Sequence, residues 1–397
     1  MHPSSTLERG AILASCSMLV VGLAAVDFFN PSLPYIMASF DATEVAVKNL
    51  AVVYLVVLGL AQFAYGSLSD RIGRRPLVVA GLVISAAGML LCAQANSLTA
   101  LYLGRVVTAC GSAACTVMAR AVIVDVFHTE AALRRGFGYF ATSSQLSPAL
   151  APLAGAWIQE HAGWRVVFLC MAVVTVAAAL LLSRMRETHH PDREPGPAKP
   201  AWVAYARLLR DRKFLGYSAA SALIFVFTFG FYASAPYAFH ALGFNAMENA
   251  SSYLIYAAGL LCGAMAVTRR SGAWSARRIY GAALGAYVVV LSLAVATKPA
   301  NSLLWAVLLA WVLGAISGIA APLALALGLG RCQTDKGAAS AVQGAVKMAG
   351  AGLAMLAFDL VRITDFAVLL QVFLGIAMAL ALVHLLLCRS PRSLGDG

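Results

Sequence analysis

Gly66-Ser67-Leu68-Ser69-Asp70-Arg71-Ile72-Gly73-Arg74-Arg75-Pro76-Leu77 joins two apolar runs, each long enough to cross a bilayer as a helix of about 20 residues. Three arginines, one aspartate and a proline leave this stretch no place in hydrocarbon, so it reads as a turn at the membrane face. Gly66 lets its helix pack closely on a neighbour. Asp70 is suited to cap a helix N-terminus or to pair with an arginine. Outward from this turn, apolar stretches recur at roughly 11–38, 46–68, 76–95, 99–126, 135–159, 164–184, 214–242, 247–268, 278–297, 301–329, 337–361 and 365–388. The chain has 397 residues, 61% apolar and only 12% charged, with a mean hydropathy of +0.81. So few charges cannot cover a water-facing surface, which excludes a soluble enzyme, a disordered chain and a secreted disulfide scaffold. The expected fold is an all-α membrane protein of twelve transmembrane helices in two six-helix bundles. The first stretch lacks a small-residue cleavage site and runs on through Asp27 and two prolines, so it reads as a helix, not a signal peptide.

The longest break, 185–213, is rich in proline and charge and ends in a basic amphipathic piece from Trp202 to Lys213. It divides the chain into an N-terminal bundle (1–185), a linker (186–213) and a C-terminal bundle (214–397), as in transporters built from two repeats. Basic residues are uneven. The termini, the linker and the even-numbered breaks hold 22, and the other breaks hold four: Lys48, Arg165, Lys298 and Arg362. By the positive-inside rule both termini and the linker are cytoplasmic, and the expected location is a bacterial inner membrane. The net charge of +12 is thereby spread over one membrane face, which argues against nucleic acid as a partner. Eight cysteines lie in or beside apolar runs without C-x-x-C spacing, and they read as packing residues. No nucleotide loop, H-E-x-x-H or G-x-S-x-G is present, so the expectation is no enzyme, no metal and no cofactor. The expected partners are a small-molecule substrate and the lipid bilayer, and a monomer suffices.

Three basic residues, Arg105, Arg120 and Lys347, fall inside spans, together with Asp27 and, nearer span ends, Asp125 and Asp359. Charges at such depth are costly and usually work in a cavity. Four further stretches stand out: Leu101-Tyr-Leu-Gly-Arg105-Val-Val-Thr-Ala-Cys-Gly111, Ser147-Pro148-Ala-Leu-Ala-Pro152-Leu-Ala-Gly155-Ala156, Ala25-Val-Asp27-Phe-Phe-Asn30-Pro-Ser-Leu-Pro34, and Arg120-Ala-Val-Ile-Val-Asp125-Val-Phe127. The 66–77 stretch resembles the G-x-L-x-D-R-x-G-R-[RK] signature of the major facilitator superfamily at every defining position. The helix 4 stretch resembles that superfamily's L-x-x-x-R-x-x-Q-G-x-G pattern, with Thr108 and Ala109 in place of Gln and Gly. The helix 5 stretch resembles the motif associated with its exporters. The helix 1 stretch and 120–127 resemble the D-M-Y-L-P-A-L-P and R-A-I-V-R-D sequences of the Bcr/CflA group of drug exporters.

The resemblance implies a proton-driven antiporter that exports small amphipathic drugs or metabolites. It implies a cytoplasmic latch built from Gly66, Asp70, Arg71, Gly73 and Arg74. It ties Arg105 to proton coupling, and Pro148, Pro152 and Gly155 to bending and close packing of helix 5. Asp27 lies near mid-span. Burial favours its neutral form and a nearby arginine favours the carboxylate, so it is the expected proton carrier, tuned by Arg105 or Arg120. Asp125 joins the proton-coupling set, or else pairs helix 4 to a neighbour. The chain departs from the Bcr/CflA pattern at Asn30, Val124, Gln343 and Lys347. Gln343 and Lys347 stand four apart on one helix face and suit a carboxylate. With Arg120 they favour an alternative, a dedicated exporter of a polar anionic metabolite such as a carboxylate siderophore. Further candidate substrate contacts are Asn30, Tyr54, Tyr139, Gln145, Tyr232 and Tyr237. The aromatic set on helix 7, Phe225 to Phe239, is expected to face lipid or the interface, with Tyr232 and Tyr237 turned to a wet cavity.

Overall fold

A β-carbon cannot be fitted between the helices of this chain at many of its glycines, and those close approaches set its packing. The structure is a computed structural model that describes residues 3–127, 130–188, 201–241, 246–269, 275–297, 303–330, 336–359 and 366–388. The side chains of Asp70, Gln145, Pro148, Tyr237 and Asp359 lie outside the described residues. The helices are α1 (Pro3–Asp27), α2 (Leu33–Phe40), α3 (Glu44–Ile72), α4 (Arg74–Ala93), α5 (Leu98–Val126), α6 (Glu130–Ala162) and α7 (Trp164–Leu182). After the linker come α8 (Ala201–Arg210), α9 (Arg212–Ala241), α10 (Ala246–Arg269), α11 (Ala276–Thr297), α12 (Leu303–Leu329), α13 (Lys336–Asp359) and α14 (Phe366–Val383). A helix stands over each of the twelve expected stretches, the first of them split into α1 and α2, and α8 forms from the amphipathic end of the linker. Among the described residues nine segments are long and apolar enough to cross a membrane. The chain is a multi-pass, all-α membrane protein.

Local chemistry explains the helix ends. Thr43 accepts from the Ala46 amide at 3.3 Å and Ser97 from the Ala100 amide at 3.2 Å, each capping a helix start. Asp211 accepts from the Lys213 and Phe214 amides at 2.9 and 3.1 Å, where α9 begins directly after α8. Between α3 and α4 the chain turns on a single residue, Gly73, at φ 101° and ψ 165°, a region open in practice only to glycine.

Two compact units, Met1–Lys199 and Pro200–Gly397, divide the chain. In the first, α1 packs on α5 and α6, α3 on α5, and α4 on α5 and α7. In the second, α9 packs on α12 and α13, α10 on α12, and α11 on α12 and α14. The same neighbour relations recur in the same order, which is the pattern of a repeated six-helix unit. Small residues set the closest pairs. On α10 and α12, β-carbons added at Gly259, Gly263, Gly314 and Gly318 would each overlap the other helix's backbone.

Candidate functional site

Pro31 has no N–H, so α1 cannot continue past its own last turn. The helix ends at Asp27, in the middle of the apolar stretch Glu8–Phe40, and resumes as α2 after a 3₁₀ turn at Asn30–Ser32. A helix C-terminus inside hydrocarbon must have its carbonyls satisfied from another element. Arg105 of α5 does this: its Nη1 donates to the Ala25 carbonyl at 2.8 Å. Its guanidinium is held between the rings of Phe29 and Tyr54, with Cζ 4.1 Å from each centroid. The cation thus sits at the negative end of α1's dipole.

Asp27 and Arg105 are each 1% exposed. Arg105 is the cation whose charge acts on Asp27, yet the two make no ion pair. Asp27 Oδ1 is buried without a hydrogen-bond partner, and so are Arg105 Nε and Nη2. Asn30, buried, opens the turn beside them. Gly155 of α6 seals the other side, because a β-carbon there would overlap the Phe28 carbonyl oxygen. Pro152, one turn before Gly155, is also buried. The structure therefore brings Asp27, Asn30, Tyr54, Arg105 and Gly155 together around one break in a helix.

Arg120 belongs elsewhere. It lies fifteen residues further along α5, about 22 Å from Arg105. Its Nε donates to the Thr116 carbonyl at 3.2 Å and its Nη2 to Gln62 Oε1 at 3.1 Å. Of the two arginines offered as partners for Asp27, Arg105 is the one at the break. Gln62 is 1% exposed and was not singled out by the sequence; a lone amide in an apolar run was its only signal.

Asp125, at the end of α5, accepts from Arg74 Nε at 2.9 Å and from Thr188 Oγ1 at 3.3 Å. Arg74 Nη1 also reaches the Ser69 carbonyl at 2.7 Å. Glu187 closes the cluster, its two oxygens taking the Arg74 and Arg75 amides at 2.9 and 3.0 Å at the start of α4. A carboxylate at a helix N-terminus is favoured by the dipole and by the free N–H groups. These contacts of the 66–75 turn lie within the N-terminal unit. Arg71 is exposed, and Gly66 lies in the last turns of α3, its carbonyl accepting from Ser69 Oγ.

In the C-terminal unit the aromatic set on α9 is corrected. Phe227, Phe229 and Phe231 are buried inside the unit instead of facing lipid or the interface, because α10, α12, α13 and α14 surround α9, and Tyr232 is buried with them. Phe227 stacks on Tyr287 at 4.4 Å and Phe231 on Tyr256 at 4.8 Å. Tyr232 packs edge-on to Tyr253 at 5.0 Å, and its carbonyl accepts from that hydroxyl. A hydroxyl network joins four helices. Ser317 donates to the Leu313 carbonyl, so it must accept from both Tyr256 and Tyr287. Tyr256 has then spent its proton, and Thr228 donates to it.

Gln343 is fully buried, and its amide nitrogen lies 3.4 Å from the Ala324 and Leu325 carbonyls of α12. It braces α13 against α12 at Gly328, while its Oε1 has no partner. Lys347, one turn on, holds its Nζ 4.3 Å from the Phe225 ring centre. Tyr139 is 55% exposed and sixteen residues, about 24 Å, before Gly155 on α6, so it does not join the break.

Comparison with known proteins gives the family of the chain. The family model described as Major Facilitator Superfamily matches residues 11–357. A chloramphenicol resistance protein of Pseudomonas aeruginosa is 29% identical over 178 residues, 44% of this chain and 41% of its own. Multidrug resistance protein D of Escherichia coli (strain K12) is 29% identical over 176 residues, 44% of each. Multidrug transporter MdfA of Yersinia pestis bv. Antiqua (strain Angola) is 29% identical over 217 residues, 54% of this chain and 53% of its own. The chain spans about half the length of the curated relatives it matches.

Proposed function

This chain belongs to the Major Facilitator Superfamily, and from that premise we propose a proton-coupled antiporter that exports small amphipathic drugs or metabolites. It acts across the bacterial inner membrane with both termini in the cytoplasm. One observation carries the reading: Asp27, at a break in the middle of a membrane span, keeps a buried carboxylate oxygen without a partner beside the fixed Arg105 cation. The relatives' names, which speak of chloramphenicol and multidrug resistance, support export.

Asp27 Oδ1 takes a proton from the outer side and gives it up to the cytoplasm. Arg105 keeps its own proton throughout. Ionised Asp27 balances the guanidinium, and neutral Asp27 leaves the break with one positive charge. Cargo that needs the ionised carboxylate and protons that remove it compete for one group, so they move in opposite directions. Each inward proton supplies ~1.4 kcal/mol per pH unit and ~2.3 kcal/mol per 100 mV. The energy source is the proton gradient, with no cofactor required.

The test uses the purified chain in liposomes with an imposed pH gradient and chloramphenicol or ethidium as cargo. Asp27→Asn should purify as a folded protein and lose gradient-driven flux. Flux that still follows a pH jump in this variant rules out Asp27 as the carrier.

A further inference from the structure

The amide of Gln62 is half used. Its Oε1 accepts from Arg120 Nη2 at 3.1 Å. A guanidinium only donates, so this contact decides the orientation of the amide and turns its NH2 away from the arginine. That nitrogen is buried and has no acceptor. Arg120 is half-buried and donates its Nε to the Thr116 carbonyl at 3.2 Å. A fixed cation and an unfilled amide donor thus stand on facing helices, α5 and α3, each inside a membrane span. The amide nitrogen is one carbon away from the oxygen that the arginine holds, so a group with two acceptor oxygens can meet both. A carboxylate supplies two such oxygens and the opposite charge. A neutral amide or ester supplies neither the charge nor the second strong acceptor.

We propose that Arg120 and Gln62 form a carboxylate-binding site, so that amphipathic carboxylates are a substrate class of this protein. The site is distinct from the Asp27 break, about 22 Å along α5 from Arg105. The inference rests on the reading of this chain as a transporter and names a chemical class that it carries.

The experiment measures equilibrium binding to the purified full chain in detergent, without a gradient. The probes are chloramphenicol hemisuccinate, which carries one carboxylate, and its methyl ester, which does not. The hemisuccinate should bind about tenfold more tightly than the ester. Gln62→Leu keeps the apolar burial and should erase the difference. Gln62→Glu places a carboxylate beside Arg120 and should exclude the hemisuccinate. Arg120→Gln should erase the preference, and Arg120→Lys should keep part of it. Gel-filtration profiles show which variants are folded, and either Gln62 variant suffices. Equal binding of the two probes, no binding of the hemisuccinate, or an undiminished preference in the Gln62 variants overturns the proposal. So does displacement of the hemisuccinate by equimolar phosphatidylglycerol, which would give the site to a lipid headgroup. Gradient-driven flux of uncharged chloramphenicol reports on proton coupling alone, so the two readings fail separately.

Discussion

In the N-terminal unit, α5 meets a broken α1, and the residue at the meeting point is Arg105. In the C-terminal unit, α12 has the corresponding neighbours, yet it packs on an unbroken 30-residue α9, and Ser317 of α12 is linked to Thr228 of α9 through the Tyr256 hydroxyl of α10. The first junction holds charge and three buried polar atoms without partners. The second holds four hydroxyls whose protons are all placed. Unfilled polar atoms in low dielectric are costly and are kept where something arrives to fill them. A hydroxyl network with every proton placed has no donor left to offer a ligand and holds four helices in register. One helix arrangement thus holds charge and unfilled polar atoms in one unit and a closed hydroxyl network in the other, and under the proposed function the first is the working junction.

The sharpest break of this contrast comes from removing each centre in turn. Arg105→Met should lower gradient-driven flux about 100-fold or more, roughly 3 kcal/mol of lost function. Flux within about threefold of the unmodified chain would mean that the charged junction is not the working one. Gly155→Ala forces a methyl into the Phe28 carbonyl and should cost about 2–3 kcal/mol, read as a lowered apparent Tm. Ser317→Ala leaves the Tyr256 and Tyr287 hydroxyls without their acceptor. It should cost about 2 kcal/mol of stability while flux per folded molecule stays near that of the unmodified chain. A large loss of flux at full stability would make the C-terminal junction functional. Glu187→Gln should weaken the start of α4 by about 0.5 kcal/mol. Faster hydrogen exchange at the Arg74 and Arg75 amides would show it, with the Asp27 junction unaffected.

Much of the charged junction was legible beforehand. Asp27 and Arg105 stand out because an apolar span has few reasons to carry either, but the break itself was missed: the stretch reads as one helix running on through Pro31 and Pro34, and the structure ends α1 at Asp27. The C-terminal junction was hidden. Phe225, Phe227, Phe229 and Phe231 occur at every second position, which on a helix turns 200° per step and places them in two pairs on opposite faces. No single buried face is marked, so their burial depends on how many helices surround α9. Gln62 belonged to no motif. Glu187 looked like one charge among several in a polar linker, and only the fold carries it to the amides of α4. Gln343 and Lys347 do share a helix face, but packing commits the Gln343 amide nitrogen to α12 and sets the Lys347 ammonium over an aromatic ring.

The amino-acid order determined the helices and, the break at Asp27 apart, their approximate limits. Those depend on local propensity and on transfer between water and lipid, both properties of a segment by itself. The tertiary structure decided which polar atoms meet and which are left over. A side chain's partner lies on another helix, and the depth and rotation at which two helices pack are set by their small residues acting together.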